Sequence, residues 1–270
     1  MLPFKAVVSD LDGTLLNLNG RISSTTLTTL SNLNECGVEI ILATGRHPKD
    51  ALQIAEELKD KVNIIGLNGA LTFCKDSGVL INNKHLKYRT ILELLELLEL
   101  IEHDNLHLNI FDQQGWKIHE VNEMVEGYSS HSGFSYSIIL PSEVKNLNIN
   151  KFLLWREDDI SDVEKKINHH LGGKVTCYRT SNNQIEIGPP DVSKASAAVQ
   201  LLSEKGISFQ KQAIAFGDAL NDLSMLNQAA KGVLMQNSMP ELIELLSTLS
   251  VTGTNEEDGV AHFLNQTFDI

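Results

Sequence analysis

Two carboxylates one residue apart, Asp10 and Asp12, follow the apolar run Ala6-Val7-Val8 and precede Gly13-Thr14-Leu15. A short strand would deliver both to its carboxyl end, and Gly13 would then turn the chain sharply. One carboxylate can act as a nucleophile and the other as a proton carrier, and together they can grip a divalent cation. That is a minimal kit for moving a phosphoryl group through an aspartyl-phosphate. Asp and Gly are also ordinary turn residues, so the bare pattern reads as a turn as well.

Other polar clusters repeat this placement. Thr44-Gly45-Arg46 follows the apolar residues 38–43, and Gly217-Asp218-Ala219-Leu220-Asn221-Asp222 follows residues 213–216. Ligands of open α/β sheets bind beyond the carboxyl ends of strands, so recurrence at that edge favours one site over unrelated turns. Thr44 suits a helix N-cap, and the backbone N–H groups such a cap leaves outward also suit an anion. Lys194, behind Ser193 as N-cap, falls in the first turn of a predicted helix. There it opposes the helix dipole at a cost of a few tenths to about 1 kcal/mol. A phosphate held between that ammonium and the carboxylates explains the placement; an incidental surface lysine is the alternative. Asp218 and Asp222 are four apart and would repel on one helix face unless a cation joins them. The alternative for that pair is a solvated acidic helix start. His103 and His107 have the spacing of a metal pair on a helix, but no Glu stands in the zinc-protease position. His169-His170 reads as solvated surface, and neither a P-loop nor a dinucleotide fingerprint occurs.

The elements that must position these groups alternate in type. Residues 38–43 and Ile64-Ile65 read as strands and residues 51–58 as a helix, a βαβ rhythm that predicts a parallel sheet covered on both faces. Residues 90–102 form a Leu/Glu stretch too short for a sustained coiled coil, so we expect an amphipathic helix on a local sheet. Residues 152–155 and 185–187 read as strands around a polar helix at 159–170, and Gly188-Pro189-Pro190 stops the segment. The earlier rhythm then returns, with helices at 194–205, from 221 and at 241–249, and strands at 213–216 and 232–235. The expected organisation is a core of residues 1–82 and 189–270 with an inserted α/β module of residues 83–188.

The chain has 270 residues, 42% hydrophobic and 21% charged, which fits a soluble globular protein with a substantial core. A formal net charge of -13 disfavours nucleic acid as partner, since phosphate backbones require clustered Lys and Arg. It also repels a phosphorylated small molecule at long range, so local positive charge must offset the global field. Cys36, Cys74 and Cys177 suggest neither a disulfide framework nor a metal site. No apolar stretch suits a signal peptide or a bilayer span, so we expect a cytoplasmic protein without a membrane partner, as a monomer or weak homo-oligomer.

Taken together, Asp10-Leu11-Asp12-Gly13-Thr14, Thr44-Gly45-Arg46, Lys194 and Gly217-Asp218-Ala219-Leu220-Asn221-Asp222 resemble motifs I to IV of the haloacid dehalogenase-like (HAD) superfamily. The insertion between motifs II and III resembles the C2 (type IIB) cap. Asn68-Gly69-Ala70, Gly232-Val233-Leu234-Met235-Gln236-Asn237 and Gly253-Thr254-Asn255-Glu256-Glu257-Asp258-Gly259-Val260 resemble the Cof-type phosphatase branch. Ala43-Thr44-Gly45-Arg46-His47 and the Thr254-Asn255 tail are similar to enzymes that hydrolyse pyridoxal 5'-phosphate and hexose phosphates. Two positions depart from the family pattern: Ala195 and Gln236 stand where Gly is usual. Ala suits the helix, whereas Gln236 could crowd the pocket rim.

The resemblance implies a Rossmann-like core with an inserted lid, and a Mg²⁺-dependent phosphatase of small phosphorylated metabolites. Asp10 would be the nucleophile and Asp12 the general acid and base. Mg²⁺ would be held by the Asp10 carboxylate, the Asp12 backbone carbonyl and Asp218. Phosphate and substrate contacts would come from Leu11, Thr44, Gly45, Arg46, Asn68, Lys194 and Asn221, with Asp222 supporting Lys194 or a metal-bound water. A phosphomutase would share every motif, and a non-catalytic phosphate-binding regulator is opposed by the intact Asp10 and Asp12. A dehalogenase needs neither Asp12 nor the metal site.

Overall fold

The computed structural model describes residues 2–58, 61–75, 77–101 and 105–269. The chain divides into two compact units, Met1–Ile81 with Ser193–Ile270, and Asn82–Val192. Strands β1 (Ala6–Ser9), β2 (Glu39–Ala43), β3 (Val62–Gly66), β4 (Leu71–Cys74) and β5 (Val79–Asn83) come first. Strands β6 (His107–Asp112), β7 (Gly115–Ile118), β8 (Tyr136–Ile138), β9 (Ile149–Trp155), β10 (Thr176–Ser181) and β11 (Gln184–Gly188) belong to the inserted unit. The chain returns with β12 (Ala213–Gly217), β13 (Lys231–Met235) and β14 (Ser250–Thr252).

The first unit is built on an eight-stranded sheet of order β14-β13-β12-β1-β2-β3-β4-β5. Strands β14 through β3 run parallel, and β4 pairs antiparallel with β3. Side-chain alternation splits its apolar residues into two cores. Val7, Ile40, Leu42, Ile64, Ile214 and Phe216 pack on one face with the helices Ser24–Glu35, Pro48–Ala55 and Gly259–Phe268. Ala6, Val8, Ile41, Ala43 and Ala215 pack on the other with the helices Lys194–Glu204 and Leu223–Gln228. Burial on both faces is why these strands read as continuous apolar runs. Fully burying one such large side chain contributes about 1.5–3 kcal/mol.

The inserted unit carries a six-stranded sheet of order β10-β11-β9-β6-β7-β8, antiparallel except where β7 meets β8. The Leu/Glu stretch is the helix Tyr88–Leu100, and its buried Ile91, Leu94 and Leu97 recur at helical spacing. Together with Val163, Ile167 and Leu171 of the helix Ser161–Leu171 they cover Ile110, Phe152, Leu154 and Ile187 of the sheet. This is the amphipathic packing the sequence leads one to expect.

Two elements differ from expectation. The helix predicted over 241–249 ends at Leu245, and the chain forms β14 from Ser250. The helix Ser24–Glu35 is not evident from propensity, because it is rich in Ser, Thr and Asn. It stands on an N-cap, Ser23, whose side chain accepts from the Thr26 N–H, and on buried Thr26, Thr29, Leu30 and Leu33. Among the described residues no helix is long and apolar enough to cross a membrane.

One close approach locks the first unit. Gly69 has φ +107°, and a Cβ there would lie 2.4 Å from the carbonyl oxygen of Ser193. The turn after β3 thus rests directly on the start of the Lys194 helix. Gly69→Ala is expected to cost roughly 1–3 kcal/mol through backbone strain, before any shift of the helix. Thermal denaturation should show a drop of about 2–10 °C; an unchanged midpoint would refute the close-approach argument.

Candidate active site

Register explains why the polar motifs meet. Ser9 at the end of β1 lies opposite Phe216 of β12 and Leu42 of β2. The residues that follow, Asp10, Gly217-Asp218 and Ala43-Thr44, therefore leave the sheet at one edge. The Asp10 N–H still donates to the Phe216 carbonyl at 3.1 Å. The chain then curls so tightly that the Leu11 carbonyl accepts from the N–H groups of Thr14, Leu15 and Leu16 at 3.2, 2.9 and 2.9 Å. Gly13 adopts φ +76°, and a Cβ there would fall 2.4 Å from Oδ2 of Asp218. The next residue secures the same carboxylate: Thr14 Oγ1 donates to Asp218 Oδ1 at 2.8 Å.

Lys194 is wholly buried, and its Nζ donates to Asp10 Oδ1 at 2.6 Å and to Asp222 Oδ1 at 2.7 Å. The other oxygen of Asp222 accepts from the N–H groups of Asp218 and Ala219, both at 3.1 Å. Burial works against the Lys194 ammonium, but the Asp10 and Asp222 carboxylates outweigh it and hold its pKa above the usual lysine value. Burial pushes the Asp10 pKa well above the ordinary carboxylate range; Lys194 opposes this, while Asp222, Asp218 and Asp12 add to it. Burial, then the neighbouring Asp222, push Asp218 up to about 7 against the Thr14 hydrogen bond. One ammonium cannot neutralise the buried Asp10 and Asp222 together with the half-buried Asp218, so the cluster favours a proton or a further cation.

The donor set fits a hard cation. Asp10, Asp218 and Asp222 each offer an oxygen within 4.8 Å of the others. Both oxygens of Asp222 are engaged, whereas Oδ2 of Asp10 and of Asp218 lies outside the hydrogen bonds just described. An all-oxygen set with room for water is what Mg²⁺ takes. The carboxylate of Asp12 is not in this cluster, which leaves its backbone carbonyl for the metal role that the resemblance assigned to it.

Thr44 is buried, donates its N–H to Ile65 O at 2.8 Å, and takes the Arg46 N–H on Oγ1 at 3.0 Å. Its carbonyl accepts from the N–H of Asn68 at 3.0 Å. Asn68, held at φ 55°, accepts from Asn221 Nδ2 at 3.0 Å, and Oδ1 of Asn221 is buried without a hydrogen-bond partner. Leu11 and Gly45 would take part through their backbones.

Arg46, expected as a phosphate contact, forks onto Asp12, with Nε to Oδ2 at 2.7 Å and Nη2 to Oδ1 at 2.6 Å. Nη1 faces the buried Asp50 at 3.4 Å. Two carboxylates within reach fix a planar guanidinium bidentately. Gln236 has an exposed side chain. His107 packs against Trp155 with ring centroids 5.2 Å apart and the planes tilted by 30°, and His103 lies outside the described residues. His169 and His170 are exposed.

Sequence reasoning missed Thr14 and Asp50 as partners of the site. Asp50 lies four residues after Arg46 in the first turn of the helix Pro48–Ala55, an i,i+4 spacing that signals the pair. Thr14 leaves no such trace, because its partner is 204 residues away.

The model of the haloacid dehalogenase-like hydrolase family matches residues 7–264. A putative phosphatase of Haemophilus influenzae is 31% identical, over 100% of this chain and 98% of its own. An HMP-PP phosphatase of an Enterobacter species is 29% identical, over 96% of this chain and 94% of its own. The solved structure of a haloacid dehalogenase-like hydrolase from Bacteroides thetaiotaomicron superposes with a TM-score of 0.80 at 27% identity, covering 98% of this chain and 100% of that one. With its motif residues gathered at one sheet edge and its similarity running end to end, the chain belongs to the haloacid dehalogenase-like hydrolases, as a Cof-type phosphatase.

Proposed function

We propose that the chain hydrolyses small phosphorylated metabolites through an aspartyl-phosphate on Asp10, with Mg²⁺ as cofactor. The observation that carries this is the convergence of Asp10, Asp218 and Asp222 at a sheet edge, with the buried Lys194 paired to Asp10 and Asp222. On a chain of net charge -13, such a cluster serves an anionic substrate only when cations are added locally.

In this mechanism Asp10 attacks phosphorus in line, the ester P–O bond breaks, and the leaving oxygen takes a proton from Asp12. Water then attacks the acyl phosphate and gives its proton to Asp12. The Asp10–phosphorus bond breaks, and inorganic phosphate leaves. Asp12 begins held by Arg46 through both oxygens, so one must be released before a proton can pass to the leaving group. Lys194 orients Asp10 and offers its charge to the phosphoryl oxygens, with Thr44, Asn221 and the Leu11 and Gly45 backbones as further contacts. Asp222 positions Lys194 and the turn carrying Asp218. When bound by Asp10, Asp218 and the Asp12 carbonyl, Mg²⁺ supplies positive charge to the transferring group. General acid–base work accounts for about 10²–10⁴ of the rate, a small part of enhancements that reach ~10²¹ for phosphate monoesters, so charge and positioning carry most of it.

The unit Asn82–Val192 plays the part of the cap, and a cytoplasmic setting accords with the cysteine usage. Candidate substrates are hexose phosphates and pyridoxal 5'-phosphate, indicated by the motif resemblance, and HMP-PP, indicated by the similar Enterobacter enzyme.

A panel of these compounds assayed for phosphate release with Mg²⁺, and again with chelator, tests the reading. Release should require metal and vanish in Asp10→Asn; undiminished release under chelation would contradict it. Lys194→Met should lower kcat by roughly 10²–10³-fold, the cost of removing one charge-stabilising donor. Asp218→Asn should raise the Mg²⁺ concentration for half-maximal activity by more than about tenfold, measured by metal titration.

A further inference from the structure

We infer that Asn237 and Asn255 are positioning residues that act as one clamp on the loop carrying Asp12. The inference rests on the phosphatase reading above for what Asp12 does, and on the coordinates of the first unit for the clamp itself. Neither asparagine is used by the mechanism just derived. They come from the two C-terminal motif segments, 232–237 and 253–260, that it leaves unemployed.

The curl after Asp10 turns the carbonyls of Gly13 and Leu16 toward these segments. Asn237, just beyond β13, donates from Nδ2 to Gly13 O at 2.7 Å. Its Oδ1 accepts from the N–H of Asn255 at 3.1 Å. Asn255 in turn donates from Nδ2 to Leu16 O at 2.7 Å. The result is one run of contacts from Gly13 through the Asn237 amide to the backbone of Asn255, whose own side chain reaches on to Leu16. Its polarity is self-consistent. Flipping the Asn237 amide would set an acceptor against the Gly13 carbonyl and a donor against the Asn255 N–H, so only one orientation serves both ends.

The clamp has a firm footing. Asn255 opens the short turn Asn255–Glu257, before which Thr254 bonds Glu257 through its N–H at 3.2 Å and its hydroxyl at 2.9 Å. The same segment holds the rest of the loop: Glu256 accepts from the Leu18 N–H, and Asp258 accepts from the hydroxyls of Ser23 and Thr26. The gripped Gly13–Thr14 peptide has Asp12 on one side and, on the other, Thr14, whose hydroxyl holds Asp218. Fixing that one peptide therefore sets the proton carrier and a metal-binding carboxylate together. Asn237 is exposed and Asn255 half-buried, and a neutral hydrogen bond contributes only a small net share of global stability. Their loss should appear as misplacement of Asp12 rather than as unfolding.

The test compares Asn237→Ala, Asn255→Ala and the double variant with the parent, using a hexose 6-phosphate and p-nitrophenyl phosphate in saturating Mg²⁺. Either single variant should lose roughly 10–100-fold in kcat, the scale of an ångström's misplacement, with its melting temperature nearly unchanged. The double should lose less than the product of the two single losses, because both side chains hold the same short loop and couple through the Asn255 N–H. On p-nitrophenyl phosphate the leaving group needs no proton, so Asp10 should be phosphorylated readily while water attack lags. The variants should then show a rapid burst of nitrophenolate approaching one per active site, which fewer folded molecules of normal enzyme cannot produce. Amide exchange across residues 13–18 should quicken in each variant. Parental kcat in both singles, losses that multiply in the double, or a loss matched by loss of folded protein would overturn the clamp. Unaltered exchange across 13–18 would do so even if the parent released no phosphate, a result that would separately strike the phosphatase reading.

Discussion

Lys194 holds an ammonium, none of it exposed, between the carboxylates of Asp10 and Asp222. Charges so deeply buried are tolerable only when paired and fully hydrogen-bonded, and removing one partner from such a set costs ~3–5 kcal/mol. Much of the first unit's detail follows from meeting that condition. Ser193 caps the helix so that its first residue can point inward. Gly69 lets the turn after β3 press on that helix start. Asp222 spends one oxygen on the ammonium and the other on the N–H groups of Asp218 and Ala219, so the residue that fixes the cation also shapes the turn presenting the next carboxylate.

The inserted unit handles buried charge differently. Lys151 pairs with Glu186, and Lys117 pairs with Asp112 at 2.6 Å, each pair with side chains less than a tenth exposed. Here each ammonium is paired with a carboxylate of opposite charge. In the first unit the carboxylates outnumber the ammonium, and the surplus sits at the carboxyl edge of a parallel sheet. That imbalance, more than the number of polar residues, separates a reactive cluster from a structural one.

Much of this was legible in the sequence because apolar runs and polar punctuation coincide there. The runs 6–8, 38–43 and 213–216 fall on β1, β2 and β12, with Asp10, Thr44 and Asp218 just past the strand ends, and parallel register does the rest. Lys194 betrayed itself by standing at the unfavourable end of a helix dipole. Less legible was anything decided by a single distant partner. That Arg46 takes Asp12 and Asp50 depends on distances no motif encodes. The helix Ser24–Glu35 was hidden by poor intrinsic formers whose burial is set by packing. The short strands β7 and β8 and the edge strand β14 are too brief for periodicity to mark.

The pairing of β1 with β12 carries a consequence for how the protein comes into being. Ala6 lies beside Ala213, so the central strand has one lateral neighbour supplied early in synthesis and the other only after some two hundred further residues. Contacts so remote in sequence form slowly and late. The intervening unit, whose sheet is built wholly from its own strands, can consolidate first, as domains emerging from a ribosome do. A nascent chain of this design exposes an unfinished sheet edge while Lys194 and Asp222 are still untranslated. Asp10 meets the counter-charge of Lys194 only after the inserted unit has been made.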